Sequence, residues 1–148
     1  SLLPNANILL PNDIKPDSHY TMDGGGFSDK VDFVLLTTKQ LNDVLSDSVD
    51  LVININSFQE MKHEQIDVYF EFIQRVARDS GYFFTVNRIE KIPCDDNPFH
   101  IEQTEPPTRF FEYPWNKNNE ILINEVSRLH RLVQFHDIGI RLERISKL

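Results

Sequence analysis

Apolar residues run together at Val31-Asp32-Phe33-Val34-Leu35-Leu36 and again at Val49-Asp50-Leu51-Val52-Ile53-Asn54-Ile55. Both runs are short, rich in β-branched or bulky side chains and bounded by polar turn residues, so both predict buried strands. The period then changes. Ile66, Tyr69, Phe70, Ile73, Val76 and Ala77 fall on one stripe at helical spacing and predict an amphipathic helix, with Gly81 as its C′ residue. A further apolar run, Tyr82-Phe83-Phe84-Thr85-Val86, predicts another strand that ends in Asn87-Arg88. The pattern is strand, helix, strand, with polar residues gathered where each strand stops, which is where ligands sit in an open α/β sheet.

The flanks read less regularly. Asn7 to Leu10 predicts a short strand closed by Pro11, and residues 11–30, with Gly24-Gly25-Gly26, predict a long loop. Thr37 or Thr38 caps a short helix through about Leu45, and Asp47-Ser48 turns the chain into the strand at Val49. Four prolines between Pro93 and Pro107 predict an irregular segment over the sheet edge. Phe110 to Tyr113 reads as a short strand. Leu122, Val126, Leu129 and Val133 mark a helix begun near Asn118, and the alternation of Ile138, Ile140 and Leu142 marks a closing strand.

Alternating strands and helices predict a single α/β domain: a partial doubly wound, mostly parallel sheet with an antiparallel edge strand. An irregular segment (1–30) leads into an α/β core (31–90), followed by a cover and edge strand (91–148). Three strong strands are few for a self-sufficient doubly wound sheet.

Composition narrows the function classes. The 148 residues are 40% hydrophobic and 26% charged, an ordinary globular balance, and carry a formal charge of −8. That charge argues against a nucleic-acid binder. The basic residues nearest to a cluster, Arg128, Arg131, Arg141 and Arg144, alternate with Glu125, Asp137 and Glu143 and read as a solvated mixed face. Cys94 is the single cysteine, which excludes an internal disulfide and predicts a reducing, cytoplasmic setting. No apolar run approaches the length of a membrane span. The chain opens at Ser1 without an initiator methionine, so it reads as if begun within a longer sequence.

Ser57-Phe58-Gln59-Glu60 ahead of the helix has the spacing of a capping box, in which hydroxyl and carboxylate satisfy orphan N–H groups. Asn54 and Asn56, two apart, would face the same side of a strand and either end it through side-chain turns or hold a ligand. Asn87 and Arg88 could hold a hydroxyl or carboxylate, or simply form a surface loop. The histidines offer no metal site: His100-Ile101-Glu102 lacks partner cysteines, and His130 and His136 lack a third ligand. Trp115 either stacks on a sugar face or plugs the sheet edge.

Asp50 to Met61, with Gly81 to Arg88 beyond the helix, resembles the sugar O-methyltransferases, a branch of the class I S-adenosylmethionine-dependent methyltransferases. The matching features are a strand ending in an Asn-containing turn, then Ser-x-x-Glu-Met, then a strand running from a glycine into Asn-Arg. Val31-Asp32-Phe33 resembles the preceding strand. The resemblance covers 31–90 well, the C-terminal part loosely and the first thirty residues poorly.

It implies a Rossmann-like sheet of seven strands and transfer of a methyl group from S-adenosylmethionine to a hydroxyl of a sugar or glycan precursor. Glu60 would be the base, with Asn56 and Ser57 on one side of the substrate and Asn87 and Arg88 opposite. Thr37, Thr38 and Asn54 would lie against the cofactor. The family's strand–Gly-x-Gly–helix unit is missing, and Gly24 to Gly26 lead into a strand rather than a helix. The chain is therefore expected to be the C-terminal half of a methyltransferase that needs its N-terminal half or a second copy. The alternative is a non-catalytic α/β interaction module that docks on a partner chain.

Overall fold

The computed structural model describes residues 6–14, 31–90, 108–127 and 137–147. The expected glycine-rich loop, the Pro93–Pro107 segment, Arg128, Arg131, His100, His130, His136 and the far half of the helix expected beyond Asn118 lie outside them.

The architecture of the described residues is mixed α/β, with few helices and two sheets. Strands β1 (Ile8–Leu9) and β2 (Phe33–Val34) form a small parallel pair. Strands β3 (Val49–Ile55), β4 (Ala77–Arg88), β5 (Glu120–Ser127) and β6 (Ile138–Arg144) form a four-stranded sheet in the order β3-β4-β6-β5. β3 and β4 are parallel and joined through helix α1 (His63–Val76), whereas β6 runs antiparallel to both its neighbours. The closing strand is thus antiparallel as expected. It lies inside the sheet rather than at its edge, because β5 takes the outer position.

α1 follows from its stripe. Ile66, Phe70, Ile73 and Val76 are buried, and Lys62 is the N-cap, its backbone N–H held by Gln65 Oε1 at 3.1 Å. The helix ends at Val76, not near Gly81. Ala77 takes extended dihedrals, and the chain enters β4 with no intervening loop. Gly81 instead sits inside β4, where an added Cβ would come within 3.0 Å of the Arg78 carbonyl oxygen and 3.2 Å of that of Asp50. Arg75, in the last turn of α1, donates to the carbonyls of Leu41 and Val44, which ties the helix end to the segment entering β3.

Three further expectations are corrected. Within Val31–Leu36 only Phe33–Val34 is strand, paired over two residues with β1, and Phe33 and Leu35 are exposed rather than buried. Phe110–Glu112 is a 3-10 turn rather than a strand. The start of the helix expected from Asn118 is β5. Leu122 and Val126 are four apart and suit either period, but pairing with β6 along nearly its whole length decides for strand.

The faces of the large sheet differ. On one, Phe83, Thr85 and Asn87 of β4 lie beside Glu143, Arg141 and Gly139 of β6. α1 and the segment Phe110–Trp115 cover this face, with Phe58, Phe70, Phe83, Phe110 and Tyr113 at its centre. The other face aligns Leu51, Ile53 and Ile55 of β3 with Tyr82, Phe84 and Val86 of β4, and these with Leu142 and Ile140 of β6. Leu51, Ile53 and Ile55 are about half exposed there, at 49%, 57% and 55%. β6 therefore turns Ile140 and Leu142 outward and Arg141 and Glu143 inward. Arg141 and Glu143, expected on a solvated face, are buried.

Candidate functional site

Asn54, Asn56, Ser57, Asn87 and Arg88 gather at the carboxyl ends of the parallel pair β3 and β4. Asn87 is fully buried. Its amide donates to Asn54 Oδ1 and Thr85 Oγ1, both at 2.8 Å, and its Oδ1 accepts the Phe58 backbone N–H at 3.1 Å. Asn54 in turn donates from Nδ2 to the Ser57 hydroxyl. A buried amide is costly unless paired, and here every polar atom of Asn87 has a partner.

The turn after β3 explains the asparagines. Asn56 has φ 53°, in the left-handed region that asparagine tolerates better than most residues, and its N–H donates to the Val86 carbonyl at 2.8 Å. This turn re-aims Asn56 into the open, so it is exposed while Asn54 is half-buried under the network. The 3-10 turn Phe58–Glu60 then drives Phe58 into the core.

Ser57 does not cap a helix. Its hydroxyl is taken up by Asn54, it forms no side-chain bond to the following turn, and α1 begins only at His63. The capping-box reading of Ser57 and Glu60 is corrected accordingly: a 3-10 turn and an extended Met61 separate the motif from the helix. Glu60 is exposed at the rim and touches Gln59, whose Nε2 lies 3.4 Å from Glu60 Oε1.

Gln59 was not singled out from the sequence. It is buried, and its Oε1 accepts the Arg88 backbone N–H at 2.6 Å, joining the turn to the end of β4. No pattern marks it. Thr85 was legible in principle, since it stands two before Asn87 on the same strand face.

Among the described residues, no hydrogen bond links Thr37 to this group. Thr37 precedes the 3-10 helix Thr38–Asp43, and its hydroxyl and N–H are spent on Gln40 Oε1. The far end of that helix is held by Arg75, beside the start of β3 rather than its end.

Two other features lie outside this hydrogen-bond network. Tyr113 is buried among Phe58, Phe70, Phe110 and Trp115, and its hydroxyl has no hydrogen-bond partner among the described residues; burial raises its pKa well above the usual value near 10. Trp115 is part of the same aromatic packing, donating from Nε1 to the Phe110 carbonyl at 3.1 Å, so it plugs the core. A cleft of about 400 Å³ opens between α1 and the segment Pro114–Asn119, lined by Asp67, Phe70, Gln74, Asn119 and Glu143 among others. Among the described residues, no group of three or more His, Cys, Asp or Glu side chains is placed to hold a metal, and no helix is long and apolar enough to cross a membrane.

No protein-family model matches the chain, and no curated protein matches it.

Proposed function

We propose that this chain forms the acceptor side of an S-adenosylmethionine-dependent O-methyltransferase of Rossmann-like fold, acting on a sugar or glycan-precursor hydroxyl. The carrying observation is the Asn87–Asn54–Ser57 network at the carboxyl ends of two adjacent parallel strands joined by a helix. That is the position at which doubly wound sheets bind ligands.

In this reading the network is a support rather than a ligand set. Asn54, Ser57 and Asn87 satisfy one another and fix the turn that carries Asn56 and Glu60 outward. Asn56 and the Arg88 side chain bind and orient the acceptor, and Glu60 takes the hydroxyl proton as its oxygen gains the methyl group. S-adenosylmethionine, when bound, supplies that electrophilic methyl group. In this reading its cradle belongs to another half-domain, as the missing strand–Gly-x-Gly–helix unit implies. A positioned base together with proximity is sufficient chemistry for such a transfer.

The test is calorimetric titration of the native protein with S-adenosylhomocysteine, followed by transfer of labelled methyl groups to a panel of free and nucleotide-linked sugars. Glu60→Gln is expected to abolish turnover and leave S-adenosylhomocysteine affinity unchanged. Absence of both binding and transfer in the native protein would leave the second reading, a non-catalytic α/β interaction module. The half-exposed apolar row on β3 favours that reading independently of any chemistry.

A further inference from the structure

We infer that the cleft between α1 and the segment Pro114–Asn119 binds a small organic ammonium ion with an apolar body. The cleft shares no residue with the cluster at the strand ends. The inference therefore stands apart from the methyltransferase reading.

The cleft is one-sided in charge. Asp67 and Glu71 of α1 and Glu143 of β6 line it, and none of its lining residues is Lys, Arg or His. Cations elsewhere in the fold are already engaged. Arg75, placed one turn after Glu71 where an i,i+4 partner would stand, donates instead to the carbonyls of Leu41 and Val44. Lys147 reaches Asp47 at 3.0 Å and the carbonyls that end α1. Arg141 balances Glu143. Asp67 and Glu71, by contrast, are exposed and have no hydrogen bond or ion pair among the described residues. They stand at i and i+4, where like charges destabilise a helix, and a cation held between them relieves that repulsion.

The neutral polar groups point to the same chemistry. Asn119 spends its amide hydrogens on Gln74 Oε1 at 3.3 Å and Glu143 Oε2 at 2.9 Å, while its Oδ1 accepts the Ser146 N–H. Gln74 Nε2 donates to the Ser146 carbonyl at 2.7 Å. Asn119 thus has no N–H left to offer. Gln74 Oε1 keeps a lone pair, and the two helix carboxylates keep all of theirs. A head group with several N–H donors matches this set, and an anion does not.

Beside these acceptors stand Phe70, Phe83 and Pro114. A hydrated metal ion gains nothing from an apolar wall, and Glu143 is held by Arg141 and Asn119 rather than free to coordinate. An arylalkyl ammonium ion uses both sides of the cleft. Its volume of about 400 Å³ falls within the range of roughly 300–1,000 Å³ that small-molecule sites occupy.

The side-chain amide resonances of Gln74 and Asn119 test this in isotope-labelled native protein titrated with phenethylamine. Both are expected to shift saturably at pH 7, and phenethyl alcohol, the neutral isostere, is expected to leave them in place. Asp67→Asn and Glu71→Gln should each weaken binding about two- to fivefold, the size of one exposed ion pair. Glu125→Gln removes an exposed carboxylate of β5 outside the cleft and should leave the affinity unchanged. Unmoved resonances overturn the inference, as does an equal response to the alcohol. Equal weakening by Glu125→Gln also overturns it, because the amine would then be answering only to the net charge of −8.

Discussion

The Arg141 guanidinium lies over the Trp115 ring, 4.2 Å from the centroid, while its Nε reaches Glu143 Oε1 at 2.7 Å. Glu143 is 1% exposed, and its other oxygen accepts from Asn119 Nδ2 at 2.9 Å. The pair thus sits between the sheet and the aromatic layer with its hydrogen bonds made, the condition under which a buried ion pair is tolerated.

Arg141→Ala leaves the Glu143 carboxylate buried without its cation and is expected to cost about 3–5 kcal/mol. Against a total of roughly 5–15 kcal/mol for a typical domain, that brings the protein to the margin of folding. The double substitution Arg141→Met with Glu143→Leu should recover most of the loss. Urea unfolding midpoints of the three proteins check both statements.

Asn87→Ala removes the acceptor of the buried Phe58 N–H and both amide bonds to Asn54 and Thr85. An orphaned buried donor costs about 1–3 kcal/mol, so a matching fall in thermal stability is expected. Thr85→Val, which deletes a single acceptor, should lose less. Equal losses from the two would mean that the network does not centre on Asn87.

Tyr113 predicts a pH dependence. Burial holds its folded pKa above the value near 10 that its phenol takes when exposed. The folded state thus keeps a proton that the unfolded state releases above that point, so the stability this group contributes is whole below about pH 10 and falls as pH rises further. Unfolding followed between pH 8 and 11 should show the decline in the native protein and a smaller one in Tyr113→Phe. Since the hydroxyl has no partner among the described residues, that variant should be at least as stable as the native protein at pH 7.

Gly139 lies against the Phe110 ring, whose nearest atoms would stand 2.5–2.7 Å from an added Cβ. Phe110 is fully buried and cannot retreat without displacing Tyr113 and Trp115. Gly139→Ala is expected to destabilise by about 1–3 kcal/mol through overpacking. A crystal or NMR structure of the variant should show the aromatic ring displaced.

The strand–helix–strand unit from Val49 to Arg88 was legible because its apolar periods are long and change sharply. β5 was not, since Leu122 and Val126 suit a helix as well as a strand and only the partner β6 decides between them. The burial of Arg141 and Glu143 was partly hidden. Their spacing of two places them on one strand face, but which face is covered depends on the segment Phe110–Trp115, whose position no local pattern gives. At the candidate site the sequence located the cluster at the strand ends. It misread Ser57 as a helix cap, because the intervening turn at Phe58–Glu60 owes its form to burial of Phe58.

The direct passage from Val76 of α1 to Ala77 of β4 leaves no slack between two elements with different periods. One residue inserted at that junction would turn the helix by about 100° relative to the strand. The stripe of Ile66, Phe70 and Ile73 would then swing off Phe83, with no loop available to absorb the change of phase. The junction acts as a gear tooth, and an inserted residue is expected to be tolerated in the turn before His63 rather than here.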